Sequence, residues 1–321
     1  MVLLLRERDV RSLLDMYANI MVLEQAFGAW AQGHAENRPR TRIEQENGYM
    51  HLLAAAVPSL GVVGFKTYTN FRRAGMRSVV MLFSSLDGRL LAIIEADFLG
   101  RTRTGATSGL ATKYLARPDA SVVGLIGAGN QAYAQVLGVC AVRQIKAVHV
   151  YSRRLPECEQ FCNELMQRLS IVEVRPVPSA RLALEEADIV ITATTSPEPV
   201  LPGDWLKSGS HINAIGSNWA DRRELDLMTL QRSQVIVTDS QEQARVEAGD
   251  FVIPANEGLF DWSRVSDLAD VVAGHGPKRE LASDITLYKG VGIALEDVAT
   301  AAHVYTLARD RRIGEEIDFL P

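Results

Sequence analysis

Cysteine is scarce: Cys140, Cys158 and Cys162 are the only three in 321 residues. They are too few and too local for a disulfide framework, and the Cys158/Cys162 spacing lacks the second ligand pair that a zinc site needs. All three are expected as reduced thiols on helices, and no metal site is expected. Dense runs of lysine or arginine are also missing, and the formal net charge is -5. The chain therefore lacks the electrostatic footprint of a nucleic-acid or anionic-membrane binder. Nor is there a long hydrophobic run. The opening MVLLLRERDV is apolar for only a few residues before charge intervenes, too short for a signal peptide or an anchor. Cytoplasm is the expected compartment. No internal repeat or low-complexity segment interrupts the pattern.

What the chain does have is 47% hydrophobic residues against 23% charged, enough for two domains of ordinary size. A strand is expected at Val2–Leu5. Asp9 then stands where an N-cap would, and Val10, Leu13, Leu14, Met16 and Ile20 recur at helical spacing, predicting one long amphipathic helix. From Arg40 to about Ala96, short apolar runs are broken by Asn47-Gly48, Gly61, Gly64, Gly75 and Asp87-Gly88. That pattern predicts an antiparallel sheet. Helical periodicity returns at Ala106–Leu115 and closes at Arg117-Pro118-Asp119. Strands at Val122–Ile126, Val148–Tyr151, Val172–Val174, Ile189–Thr192, His211–Ile215 and Val235–Thr238 then alternate with helices, including one around Cys158–Leu169. This alternation argues for a parallel, doubly wound sheet. The tail ITLYKGVGIALEDVATAAHVYTLARD reads as a strand, a glycine pair and a long helix.

The most informative stretch is VVGLIGAGNQA. Gly127-Ala128-Gly129-Asn130-Gln131-Ala132 matches G-x-G-x-x-G/A between a strand and a helix, the phosphate-binding turn of a Rossmann domain. Gly127 permits the tight turn, Gly129 lets backbone approach a pyrophosphate, and Ala132 is small enough for helix and strand to pack. The helix N-terminus offers N–H groups and a positive dipole end to phosphate. At the tip of the second strand, NAD enzymes usually carry a carboxylate for the ribose hydroxyls. Here Ser152-Arg153-Arg154 stands instead, a hydroxyl and two guanidinium groups suited to a 2′-phosphate. NADP(H) is therefore favoured, with NAD(H) as the alternative. Thr194 and Thr195 lie just past the Ile189–Thr192 strand, at the carboxyl edge where such sheets bind ligands.

Three blocks, RTRTGATSGLATKYLARPDASVVGLIGAGNQA, HINAIGSNWADRRELD and ITLYKGVGIALED, resemble the ornithine cyclodeaminase/mu-crystallin family. That family also contains alanine dehydrogenases and ketimine or pyrroline-carboxylate reductases. The resemblance runs over nearly the whole chain. It implies an α/β protein in which residues 118–284 form the Rossmann doubly wound parallel sheet. Residues 1–117 and 285–321 would form a discontinuous α+β domain for substrate binding and dimerisation, giving a homodimer. Carried over by position, Arg40, Lys66 and Arg103 hold the substrate carboxylate, with Arg42 a competitor for the role of Arg40. An arginine fork reads a carboxylate bidentately, whereas a lysine can also donate a proton if desolvation lowers its pKa. Ser78, Asn130, Gln131, Ser152, Thr194, Asn213 and Ile215 fall on positions that line the cofactor in relatives.

Two departures bear on the activity. Cyclodeaminases place an acid/base aspartate two residues after the glycine of HINAIG; here the position holds Asn218. An amide takes no proton from an ammonium group, although it can orient a substrate. Asp221 lies in the loop segment ADRREL, where charges usually face solvent. His51 stands near the place where an ornithine-specific relative carries a glutamate, and imidazole offers the distal ammonium of ornithine no counter-charge. The residues thus favour an NAD(P)H-dependent oxidoreductase acting on the C–N bond of a small imino or amino acid, with Lys66, Asn218 and His51 as the candidate catalytic groups. Its substrate would be a ketimine or cyclic imine, or a 2-oxo acid with ammonia. An ornithine-type cyclodeaminase that recycles NAD, and a non-catalytic mu-crystallin-like binding protein, remain open as alternatives.

Overall fold

The computed structural model describes residues 1–72, 75–169 and 173–319. The chain divides into two units, Met1–Ala106 with Gly292–Pro321, and Thr107–Val291. In chain order, the first unit opens with β1 (Val2–Leu5), α1 (Glu7–Leu13) and α2 (Met16–Ala31). It continues through β2 (Glu36–Asn37), β3 (Thr41–Gln45), β4 (Gly48–Val57), β5 (Val62–Phe71), β6 (Gly75–Ser84) and β7 (Leu90–Glu95) to α3 (Asp97–Leu115). The second unit follows with β8 (Val122–Ile126), α4 (Asn130–Cys140), β9 (Ala147–Tyr151), α5 (Leu155–Arg168), β10 (Glu173–Pro176), α6 (Ala180–Leu184) and β11 (Ile189–Thr192). Then come β12 (His211–Ala214), α7 (Leu227–Arg232), β13 (Ser233–Thr238), α8 (Gln241–Glu247), α9 (Gly249–Asn256), β14 (Val265–Asp267), α10 (Leu268–Val272) and β15 (Ile285–Lys289). Finally α11 (Ala294–Arg311) and β16 (Glu315–Ile317) return to the first unit.

The first unit's sheet runs β16-β1-β7-β6-β5-β4-β2, with β3 also on β4. Its strands pair antiparallel except for β1 with β7. Helix α11 lies against β4, β5, β6 and α2. Side chains alternate across a strand, so β5 turns Val62, Gly64 and Lys66 inward together. Lys66 is in register with Leu53 on β4 and Val80 on β6, both fully buried. One step along the same face, Arg42, His51, Tyr68 and Ser78 form a second row across β3, β4, β5 and β6.

The second unit is an eight-stranded parallel sheet in the order β10-β9-β8-β11-β12-β15-β13-β14. Both faces of its centre are covered, which is why β8 is apolar throughout and β11 is apolar up to Thr192. Val123, Leu125, Ile189 and Ile191 pack on one side with residues of α4 and α5, while Val190, Ile212 and Leu287 pack on the other with Phe251 and Leu230. From β8 the chain moves first to β9 on one side and later to β11 on the other, so the order reverses between β8 and β11. A doubly wound sheet binds its ligand at such a switch point.

Three expectations need correction. The single long first helix is two helices. Asp9 is the third residue of α1 rather than its N-cap, accepting from the Arg6 amide at 3.0 Å. Asp15 adopts an extended backbone and accepts from the Ala18 amide at 2.9 Å, starting α2 afresh. The helix expected from Ala106 begins at Asp97. The units part at Ala106/Thr107 and Val291/Gly292 instead of 117/118 and 284/285. The reasons are local. Strand β15 inserts between β12 and β13, and the second half of α3 is stitched to the parallel sheet through Thr112, whose hydroxyl accepts from Asn213 Nδ2 at 2.9 Å. Of the strand expected at Val172–Val174, Val172 lies outside the described residues. All three cysteines are free thiols on α4 and α5. Among the described residues no helix is long and apolar enough to cross a membrane, and no group of three or more His, Cys, Asp or Glu could hold a metal.

Candidate functional site

In the first unit the structure brings together His51, Lys66 and Arg103 from three elements with Arg40 from the segment between β2 and β3. Lys66 Nζ donates to Asp297 Oδ1 at 2.9 Å, and Arg103 Nε donates to the same oxygen at 2.8 Å. Arg103 also pairs with Glu296. Arg40, between β2 and β3, donates to the Gly292 carbonyl at 2.7 Å. Gly292 has φ +77°, and a Cβ there would stand 2.7 Å from Arg103 Nη1. Only glycine lets this backbone pass between the two guanidinium groups. The acidic pair Glu296-Asp297 starts α11, and the packing of α11 on β5 carries it to Lys66.

Burial pulls the Lys66 ammonium down to about 8. Asp297 opposes that fall, and Arg103 and Arg40 add to it. Burial likewise lowers His51 to about 4, assisted by Arg40, Arg42 and Lys66. His51 is thus a neutral imidazole at pH 7. It stacks on Tyr68 at 4.3 Å between ring centroids, and the Lys66 ammonium lies 5.4 Å from the same ring. His51 Nδ1 is buried without a hydrogen-bond partner among the described residues. Ser78 occupies the same sheet face, with its hydroxyl donating to Asp97 at 2.6 Å. Both Arg40 and Arg42 act on His51, but Arg40 is the one bonded beside Arg103, at Gly292.

The glycine turn expected to hold phosphate lies in the second unit. Gly127 has φ +106°, and a Cβ there would collide with the Ala193 carbonyl. Its amide donates to the Tyr151 carbonyl at 2.9 Å. Gly129 is the exposed N-cap of α4, where a Cβ would meet nothing within 4 Å and no side chain caps the helix. Ala128 and Asn130 flank it on the turn, and Ala132 is fully buried. Gln131 Oε1 is buried without a partner among the described residues. A bare helix N-terminus behind two glycines fits a dinucleotide pyrophosphate. At the tip of β9, Ser152 is half-buried and Arg153 and Arg154 are exposed; Arg154 pairs with Glu157 at 3.0 Å.

Around the carboxyl ends of β11 and β12 the structure shows a network that the sequence did not reveal. Glu224, fully buried, accepts from the Thr192 hydroxyl, from the Thr194 amide and hydroxyl, and from the Gly216 amide, each at 2.7 Å. Burial raises its pKa, with Lys289 opposing. Asp250 Oδ1 accepts from the Glu224 and Leu225 amides at 2.7 and 2.9 Å, and Lys289 Nζ donates to the Ser217 carbonyl at 2.7 Å. The loop carrying Ile215 and Asn218 is therefore anchored at Gly216 and Ser217. The hydroxyl and amide of Thr194 are both committed to Glu224. Asn213, expected to line the cofactor, is fully buried with its amide turned to Thr112. Asp221 is exposed beside Arg222. One signal in the sequence pointed inward: Glu296-Asp297 sits among Ala294, Leu295, Val298 and Ala299, so that a helix built to be buried carries two acids.

Residues 2–312 match the model of the ornithine cyclodeaminase/mu-crystallin family. An alanine dehydrogenase of Archaeoglobus fulgidus is 32% identical over 99% of this chain and 98% of its own length. A Delta(1)-pyrroline-2-carboxylate reductase of Bacillus cereus is 34% identical, covering 83% of this chain and 79% of its own. The structure of Thermococcus litoralis Delta(1)-pyrroline-2-carboxylate reductase, in complex with NADH and L-proline, superposes with a TM-score of 0.94 at 38% identity, over 98% of this chain and 100% of that one. With the glycine turn after β8, the cation cluster on β5 and α3, and a match that spans both units, the chain belongs to the ornithine cyclodeaminase/mu-crystallin family.

Proposed function

We propose that this protein is an NAD(P)H-dependent oxidoreductase that reduces the C=N bond of a small imino acid, a cyclic ketimine carboxylate of the pyrroline or piperideine type. The observation that carries the reading is the cluster of Lys66 and Arg103 on one Asp297 oxygen, with Arg40 beside Arg103. It is a cationic surround for a carboxylate in which one cation has its proton affinity brought close to neutrality. When bound, the reduced nicotinamide supplies a hydride to the imine carbon. Arg40 and Arg103 fix the substrate carboxylate, which confers most of the orientation. Lys66 gives a proton to the nitrogen, so that one hydride and one proton complete the amine, and neutral Lys66 regains its proton from water. Asn218 orients the substrate without acting as a base. His51, neutral and stacked on Tyr68, shapes the substrate site and gives a distal ammonium no counter-charge. Assaying NADPH and NADH oxidation against cyclic imines, and against 2-oxo acids with ammonia or methylamine, tests the reading. Turnover of ornithine to proline and ammonia at a useful rate would overturn it in favour of a cyclodeaminase.

The preferred cofactor in this reading is NADP(H), held at the 2′-phosphate by Ser152 and Arg153. Arg154 is engaged with Glu157, while Arg153 is exposed and has no ion pair among the described residues. The proposed assembly is a homodimer. Ile43, Met50, Leu52 and Val63 stand exposed on neighbouring strands of the first unit's sheet, an apolar face that a second copy would cover. Light scattering at micromolar concentration checks this, and a monomer would refute it. A cytoplasmic location completes the proposal.

A further inference from the structure

The first turn of α11 holds a fully buried carboxylate, Asp297, whose Oδ1 receives two cations at once: Lys66 Nζ at 2.9 Å and Arg103 Nε at 2.8 Å. Oδ2 has no hydrogen-bond partner among the described residues. Because a single atom accepts both bonds, the position of Lys66 is tied to that of Arg103. Apart from the ring face of Tyr68, which attracts the ammonium weakly, the other groups around Lys66 work against its charge or leave it unchanged. Arg103 from α3 and Arg40 from the segment before β3 repel it. His51 from β4, itself surrounded by Arg40 and Arg42, is neutral at pH 7. Tyr68 on β5 offers a ring face at 5.4 Å, and Glu296 on α11 is bonded to Arg103. Burial with guanidinium groups close by would strip the proton from a lysine near neutrality. Asp297 is the carboxylate in contact with it, and the attraction of Lys66 and Arg103 holds Asp297 below the usual carboxylate range against the opposing effect of burial.

We propose that Asp297 is a positioning residue for the reaction: through one shared oxygen it sets Lys66 and Arg103 in fixed relation and keeps Lys66 as an ammonium at neutral pH. The inference rests on the assignment of Lys66 as proton donor, and its first readout, the titration of Lys66, needs no substrate. The full-length protein is labelled with [ε-13C]lysine and the Lys66 methylene signal is followed by NMR against pH. The signal is assigned by its loss in Lys66→Arg; the only other lysines are Lys113, Lys146, Lys207, Lys278 and Lys289. In Asp297→Asn the Lys66 midpoint falls by about one pH unit or more, since an adjacent opposite charge is removed. The alkaline limb of kcat/KM moves down with it, and NADPH affinity is retained. In Asp297→Glu the midpoint stays near that of the unsubstituted protein while kcat drops, because one added methylene displaces both cations. An unchanged midpoint in the Asn variant overturns the proposal. If the Asn variant does not fold, the Glu variant decides, and normal kcat and KM there overturn it equally. Failure to reduce any imine would remove the functional reading and leave the titration result standing.

Discussion

Lys289 and Asp250 face each other at 2.9 Å with both side chains wholly buried, and Lys289 also donates to the Ser217 carbonyl at 2.7 Å. An ion pair removed from water in this way is costly to break on one side only, because the remaining charge has no solvent to turn to. Lys289→Met is expected to destabilise the protein by about 3–5 kcal/mol, read as a lowered urea midpoint. Adding Asp250→Asn should recover part of that loss. It removes the orphaned charge while leaving an Oδ1 that still accepts from the Glu224 and Leu225 amides. A double variant weaker than the single one would contradict this account.

Replacing Arg153 by Ala should weaken NADPH binding by about 1–3 kcal/mol, the range of a charge-assisted hydrogen bond, and leave NADH nearly untouched. Arg154→Ala should do less, since its guanidinium is already committed to Glu157. Fluorescence titration of each variant with both cofactors separates these outcomes. Equal losses for the two dinucleotides would remove the argument for a 2′-phosphate site.

Lys66→Ala is expected to abolish turnover without loss of dinucleotide binding, whereas Asn218→Ala should cost far less, since hydride addition to an imine needs no carboxylate base there. Asn218→Asp should yield at most weak ammonia release from ornithine. The His51 imidazole still offers the distal amine no counter-charge. Steady-state assays of imine reduction beside an ammonia assay check both. Comparable damage from Lys66→Ala and Asn218→Ala would reverse the assigned roles.

Acid should destabilise the fold in a defined window. His51 is lowered from 6.5 to about 4 by burial and then by Arg40, Arg42 and Lys66, and burial lowers His211 to about 3. Between these values and 6.5 the unfolded chain binds protons that the folded chain refuses, so stability increases with pH there and is lost as pH falls from 6.5 toward 4. Each histidine contributes a slope of about 1.4 kcal/mol per pH unit inside its window. Chemical denaturation from pH 4.5 to 6.5 should show this slope, reduced by about one proton in His51→Gln. An unaltered slope in that variant would show that His51 titrates normally.

Much of the second unit was legible because its signals are local. Gly127, Gly129 and Ala132 lie within six positions, and strands such as Val122–Ile126 are apolar throughout because both faces are covered. The cation cluster was legible only through resemblance, since nothing near Lys66 in the chain marks it as buried. Its partner Asp297 is 231 positions away and Arg103 is 194 positions from the same aspartate, so no window of sequence joins them. Glu224 was hidden for a similar reason. It stands among charges in ADRREL and reads as a solvated loop, yet it turns inward to the ends of two strands. Asp15 misled in the opposite way. Its neighbours keep the helical spacing, and only the cap geometry reveals that one helix stops and another begins.

The place of β15 in the parallel sheet bears on how this protein is made. The strand is the last of its sheet to be synthesised, yet it lies between β12 and β13. A nascent chain that has emerged only as far as α10 carries two groups of strands with no strand to join them, and each leaves an open edge of backbone donors and acceptors. Contacts this distant in sequence form late, and exposed edges invite pairing with other chains in the interval. The first unit waits longer still, because α11 and β16 follow β15. The second unit cannot close before β15 has left the ribosome, nor the first before α11 and β16 have, so the interval until these segments emerge is the one most exposed to aggregation and to chaperone capture.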